Sequence, residues 1–140
     1  MKRSVILLAV CLTFLIICGC SKAGSGNSHH GDDAFLNIGT IYPGDISKVD
    51  YIEIRNGTNG VLTTVSDPKE IHDLISKLTT LKLEVDRNQG ERTGYLYSVK
   101  LFQNKEKKLE FTTTEAAGTY YLPNEELNNS IRDVESREHL

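Results

Sequence analysis

Val49-Asp-Tyr-Ile-Glu-Ile-Arg-Asn-Gly-Thr-Asn-Gly-Val-Leu-Thr-Thr-Val65-Ser-Asp67-Pro-Lys-Glu-Ile-His-Asp-Leu-Ile-Ser-Lys-Leu-Thr-Thr-Leu81 holds both kinds of periodicity from which a fold is built. In its first part Ile52 and Ile54 alternate with Tyr51, Glu53 and Arg55, the period-two pattern of a half-buried strand. Two Asn-Gly pairs follow at Asn56-Gly57 and Asn59-Gly60, residues that tolerate the positive φ of a tight turn. Val61 to Val65 is rich in β-branched side chains and completes a hairpin. The period then changes. Asp67 supplies an N-cap acceptor, Pro68 suits the first helical position, and Glu70 completes a capping box. Ile71, Leu74, Ile75, Leu78 and Leu81 recur at helical spacing and form one apolar stripe.

Working outward, Leu81-Lys-Leu-Glu-Val85 alternates again and predicts a third strand. Asp86 to Gly94 is polar and predicts a loop. Its Asp86-Arg-Asn-Gln-Gly-Glu91 run is not a calcium loop, because the glycine falls one position early and the closing carboxylate is missing. Tyr95 to Phe102 and Lys108 to Thr114, with a turn near Asn104, predict a second hairpin. Tyr95, Tyr97, Val99 and Leu101 would share one face of its first strand. Tyr120 to Leu122 predicts a short edge strand, and Leu127, Ile131 and Val134 predict a short C-terminal helix starting near Asn124. The expected fold class is α+β: a mostly antiparallel sheet of two hairpins, covered on one face by the Asp67 helix, plus the short C-terminal helix.

The N-terminal side reads differently. Met1-Lys-Arg-Ser is a short basic segment, and Val5 to Ile17 is an apolar run of about a dozen residues. That run is short for a membrane span and suits the hydrophobic part of a secretion signal. Ile17-Cys18-Gly19-Cys20 closes it, with a branched aliphatic residue three before the cysteine and a small residue just before it. This resembles the lipobox of bacterial lipoproteins. The resemblance implies a diacylglycerol on the Cys20 thiol, cleavage between Gly19 and Cys20, and display on the extracytoplasmic face of a cell membrane. Two or more acyl chains, each buried methylene contributing roughly 0.8 kcal/mol, would hold the chain firmly. All three cysteines lie in the first twenty residues. Under this reading none remains for a disulfide or a cysteine metal site.

Residues 1–19 are thus read as the signal peptide, 20–34 as the lipidated cysteine with a flexible tether, and 35–140 as a single domain. Ser21 to Ala34 is small and polar throughout, and fourteen such residues reach on the order of 20 Å as a coil. His29, His30, Asp32 and Asp33 fall in this tether, where nothing fixes ligand geometry, so no metal site is expected. Loss of Lys2 and Arg3 leaves 14 basic against 19 acidic residues, a mildly acidic surface that argues against nucleic acid as a partner. The body also resembles small Bacillus-type surface lipoproteins of unassigned activity. The shared features are its Ile52-x-Ile54-x-Asn56-Gly57 hairpin, its Asp67-Pro68-Lys69-Glu70 helix start and its aromatic second hairpin.

Catalytic motifs are sparse. The chain has no Gly-x-Ser-x-Gly elbow, no phosphate loop and no His-Glu-x-x-His. His72 and Ser76, one helical turn apart, are the nearest approach to a nucleophile and base, and Glu84 and Asp86 the nearest to a carboxylate pair. Tyrosine combines apolar area with a hydroxyl and suits recognition surfaces, so Tyr95, Tyr97, Tyr120 and Tyr121 form the candidate binding face. The leading expectation is a non-catalytic binding module, without cofactor, held at a membrane and meeting a protein or envelope ligand. Its alternative is an immunity or inhibitor lipoprotein acting against a secreted toxin or hydrolase, and a small hydrolase is the least favoured reading.

Overall fold

The computed structural model describes residues 34–138. The signal segment, Gly19 and Cys20, the tether to residue 33 with its histidines and aspartates, and His139 lie outside the described residues. The fold is α+β with a mostly antiparallel sheet. Its strands are β1 (Phe35–Leu36), β2 (Tyr51–Asn56), β3 (Leu62–Val65), β4 (Leu83–Glu84), β5 (Tyr97–Gln103), β6 (Glu106–Thr112), β7 (Glu115–Ala116) and β8 (Thr119–Tyr120). Its helices are α1 (Ile38–Ile41), α2 (Pro68–Thr80) and α3 (Glu125–Glu138), with a 3-10 turn at Ile46–Lys48.

Six strands run in the order β3-β2-β5-β6-β7-β8, every pair antiparallel. The register explains which side chains are buried. Ile54 lies between Thr63 and Val99, and Val99 opposite Phe111; Ile52 lies between Val65 and Leu101. All of these are buried. The other face carries the charges, with Glu53 opposite Lys100, and their side chains meet at 3.6 Å. A sheet with one wet face needs this alternation. The β5–β6 turn places Asn104 and Lys105 at φ 53° and 66°, the left-handed pair that a two-residue hairpin loop requires.

At the start of α2 the Asp67 half of the expected capping box forms, whereas the Glu70 carboxylate turns instead to Arg137 of α3 at 3.6 Å. The Asp67 carboxylate accepts from the Lys69 and Glu70 amides at 3.0 Å each, which satisfies two donors that the first turn leaves open. Ile71, Leu74, Ile75 and Leu78 enter the core, together with Leu127, Ile131 and Val134 of α3.

Three expectations need correction. The Leu81–Val85 strand is only Leu83–Glu84, and it pairs with β1 in a separate two-stranded sheet. Val85 then bridges Tyr121, so β4 lies beside the segment that follows β8. The C-terminal helix is not short: it has 14 residues against 13 in α2. Its three apolar residues are spaced across only part of its length, so the apolar pattern understates the helix. Finally, Tyr95 lies before β5, whereas Tyr97, Val99 and Leu101 share the buried face.

Candidate functional site

The candidate site is a cleft of about 300 Å³ where the β2–β3 turn, the entry to β5 and one side of α3 converge. Asn56, Thr58, Leu96, Tyr97, Asn128 and Arg132 line it. Asn56 organises the turn. Its side-chain oxygen accepts from the Thr58 amide at 2.9 Å, while its Nδ2 donates to the Glu135 carboxylate at 2.9 Å. The turn is thereby tied to α3. Gly57 closes the other side by donating its N–H to the Leu96 carbonyl at 2.7 Å. A Cβ at Gly57 would lie 2.1 Å from the Tyr95 carbonyl oxygen, so only glycine permits this approach.

On α3, the stripe of Leu127, Ile131 and Val134 faces the core, which sets Asn128, Arg132 and Glu135 along its flank. Burial and the neighbouring Glu135 carboxylate hold the Tyr97 hydroxyl above its ordinary pKa, so it stays a neutral donor. Arg132 donates to the Asn129 side-chain oxygen. The Asn128 side-chain oxygen is buried and has no hydrogen-bond partner among the described residues. Such an atom costs about 1–3 kcal/mol, which a ligand donor or a water would recover.

Leu96, which lines the cleft, is 51% exposed, and Tyr95 beside it 37%. Val61 and Leu62 are exposed at the start of β3, and the other two large apolar side chains exposed among the described residues are Phe35 and Leu122. Those two both adjoin Glu84, Phe35 by strand register and Leu122 through its backbone bond, on the β1–β4 side. A polar recess rimmed by apolar side chains is suited to recognition through hydrogen bonds and contact area. Its lining supplies a guanidinium, a phenol, a hydroxyl and two side-chain amides.

The four tyrosines do not form a common face. Tyr121 is fully buried, and its hydroxyl donates to the Thr112 carbonyl. Tyr97 is buried in the core, on the same strand face as Val99 and Leu101. Tyr120 is half-buried beneath the Arg92 guanidinium, 5.3 Å from its ring centre, and Tyr95 stands at the cleft rim. Strand alternation explains the split: neighbouring positions 120 and 121 must face opposite sides. The sequence reading missed Asn128 and Arg132. Their signal was the Asn128-Asn129 pair inside a helix, a poor choice for propensity alone.

His72 and Ser76 line a different cleft of about 510 Å³ with Asp50 and Ser47. The His72 imidazole, 81% exposed, meets the Asp73 carboxylate at 3.7 Å. Asp86 is held by the Asn88 amide and by Arg92 at 2.9 Å, which keep its carboxyl below the usual range. Among the described residues, no three His, Cys, Asp or Glu side chains gather as a metal site, and no helix is long and apolar enough to cross a membrane. A further cleft of about 890 Å³, beside Phe35 and Lys82, includes Asn37, whose amide is fully engaged by the backbone.

No known protein family matches the chain, and neither a curated protein nor a solved structure does.

Proposed function

We propose that the chain is a membrane-anchored surface lipoprotein, attached through lipid on Cys20, whose exported domain binds a partner without transforming it. The observation that carries the binding reading is the Asn128 oxygen, buried without a hydrogen-bond partner among the described residues, in a recess rimmed by Leu96 and Tyr95. An orphaned acceptor beside exposed apolar area fits a ligand that brings an N–H or O–H donor flanked by apolar groups. In this reading α2 and α3 together cover the inner sheet face, so the α3 flank is a rigid wall for the recess. The anchor is supported by Ile17-Cys18-Gly19-Cys20 at the end of an apolar segment.

Two measurements test the two halves separately. Mass spectrometry of the processed protein should find an N-terminal Cys20 bearing fatty-acyl mass, and Cys20→Ala should release the chain from the membrane fraction. A terminus elsewhere, or one without acyl mass, overturns the anchor. A photo-crosslinking residue placed at Leu96 in intact cells should yield a discrete adduct that Asn128→Leu diminishes and that the same residue at Lys77 does not give. Equal adducts at both positions, or none at Leu96, overturn the binding site.

A further inference from the structure

We propose that β3 is a pairing edge, and that its occupant is β3 of a second copy of this chain, joined antiparallel about a two-fold axis at Thr63. The hydrogen-bond phase of the sheet shows which groups are available. Asn56 donates its N–H to the Val61 carbonyl, so Asn56–Val61, Ile54–Thr63 and Ile52–Val65 are the bonded pairs of the β2–β3 ladder. The main-chain N–H and C=O of Leu62 and Thr64 therefore point away from β2. They have no backbone partner among the described residues. Both side chains are exposed.

Edge strands are normally blunted by a charge, a proline, a bulge or a covering segment. The opposite side of the sheet follows that rule. The Gln89 side-chain amide bonds both the N–H and the C=O of Tyr120 in β8, at 2.8 and 2.9 Å, and the Asp86 amide reaches the same carbonyl. Val61 to Ser66 has no charged residue and no proline, and the β2–β3 register is unbroken. Among the described residues, none pairs with the outward main-chain groups of this edge.

A second copy fits this edge by symmetry. With Thr63 on the axis, Leu62 of each copy lies opposite Thr64 of the other, and both pairs are of the bonded kind. All eight outward groups are then paired. On the outer face each row runs Arg55, Leu62, then Thr64 and Glu53 of the other copy, so the rows end in opposite charges. An uncharged, β-branched edge whose self-pairing leaves no outward group open matches its own copy better than a charged peptide.

The test uses the full-length chain in its native membrane. In the proposed register the two Thr64 side chains are diagonal neighbours about 7–8 Å apart, within reach of a short bis-maleimide. Thr64→Cys should give a covalent dimer that the parent chain, with no cysteine after Cys20, does not give. Glu110→Cys is equally exposed on β6 but would be about 34 Å from its copy, and should not crosslink. Adding Leu62→Pro to Thr64→Cys deletes one outward N–H without touching the β2–β3 bonds, and should abolish the dimer. If circular dichroism shows that variant misfolded, Leu62→Lys takes its place. Absence of the Thr64→Cys dimer, an equal dimer from Glu110→Cys, or a dimer that persists in the folded double variant overturns the proposal.

Discussion

Asn37 donates its side-chain amide to the main-chain oxygens of both Thr79 and Leu81, at 2.7 and 2.8 Å. These carbonyls belong to the end of α2, where the helix has no internal donors left. The same side chain accepts from the Thr40 amide and caps α1. One residue thus fixes the start of the folded domain to the far end of its principal helix.

Asn37→Leu should therefore destabilise the domain well beyond a surface change. Two carbonyls lose their donor and α1 loses its cap, which together cost on the order of 2–4 kcal/mol. Urea unfolding followed by circular dichroism would measure it. A change below about 0.5 kcal/mol, the usual size for an exposed position, would show that water replaces the clamp without loss.

Gly57→Ala should strain the candidate site directly. The new Cβ would sit 2.1 Å from a main-chain oxygen, and the Tyr95–Leu96 segment must move to admit it. Overpacking of this kind costs about 1–3 kcal/mol. Amide hydrogen exchange at Gly57, whose N–H donates to the Leu96 carbonyl, should accelerate along with the loss of stability. Native exchange at that amide in the variant would mean that the segment does not close the cleft as described.

How much of this was legible in the residues varies by element. Asp67-Pro68-Lys69-Glu70 and the stripe to Leu78 define α2 because capping and helical periodicity are local properties. The Asn-Gly hairpin and the aromatic hairpin were legible for the same reason. The β1–β4 pairing was not, because Phe35–Leu36 is too short to carry a period and gains its partner from a segment 48 residues on. The cleft was invisible for a related reason: Asn56, Leu96 and Asn128 come from three distant segments, and only packing brings them together. Alternation did predict that Tyr97, Val99 and Leu101 share a face, but it extended that face to Tyr95, which lies before the strand. It did not show that the face is core, which removes Tyr97 from a binding surface.

The buried phenol of Tyr121 should make the domain sensitive to alkali. Burial, and to a lesser degree the Glu115 carboxylate, push its pKa far above the ordinary value of 10.0. A group whose folded pKa is raised binds its proton more tightly in the folded state. Stability is full below pH 10 and falls as pH climbs from there towards the folded value. The slope is about 1.4 kcal/mol per pH unit for one such group. Tyr42 and Tyr97 are raised as well, so they steepen the fall. Urea midpoints at pH 8 and near pH 11 should differ more for the parent chain than for Tyr121→Phe. Equal differences would mean that Tyr121 ionises as readily folded as unfolded.

Leu127 and Ile131 are both fully buried, one turn apart, on a helix that also carries Asn128 and Arg132 to the cleft. Packing and recognition are therefore coupled through one rigid element, and the two can be separated by choosing the face. Ile131→Ala should remove about 2–5 kcal/mol, the usual cost of truncating a buried aliphatic side chain. Arg132→Ala, one residue along and exposed, should change stability by less than about 0.5 kcal/mol while weakening whatever adduct forms at Leu96. Thermal unfolding and the crosslinking yield, taken on the same two variants, check this. If Arg132→Ala unfolded the domain as readily as Ile131→Ala, the flank of α3 would be structural and not a binding wall. If Ile131→Ala had no effect on stability, α3 would be an appendage to the sheet instead of part of its core.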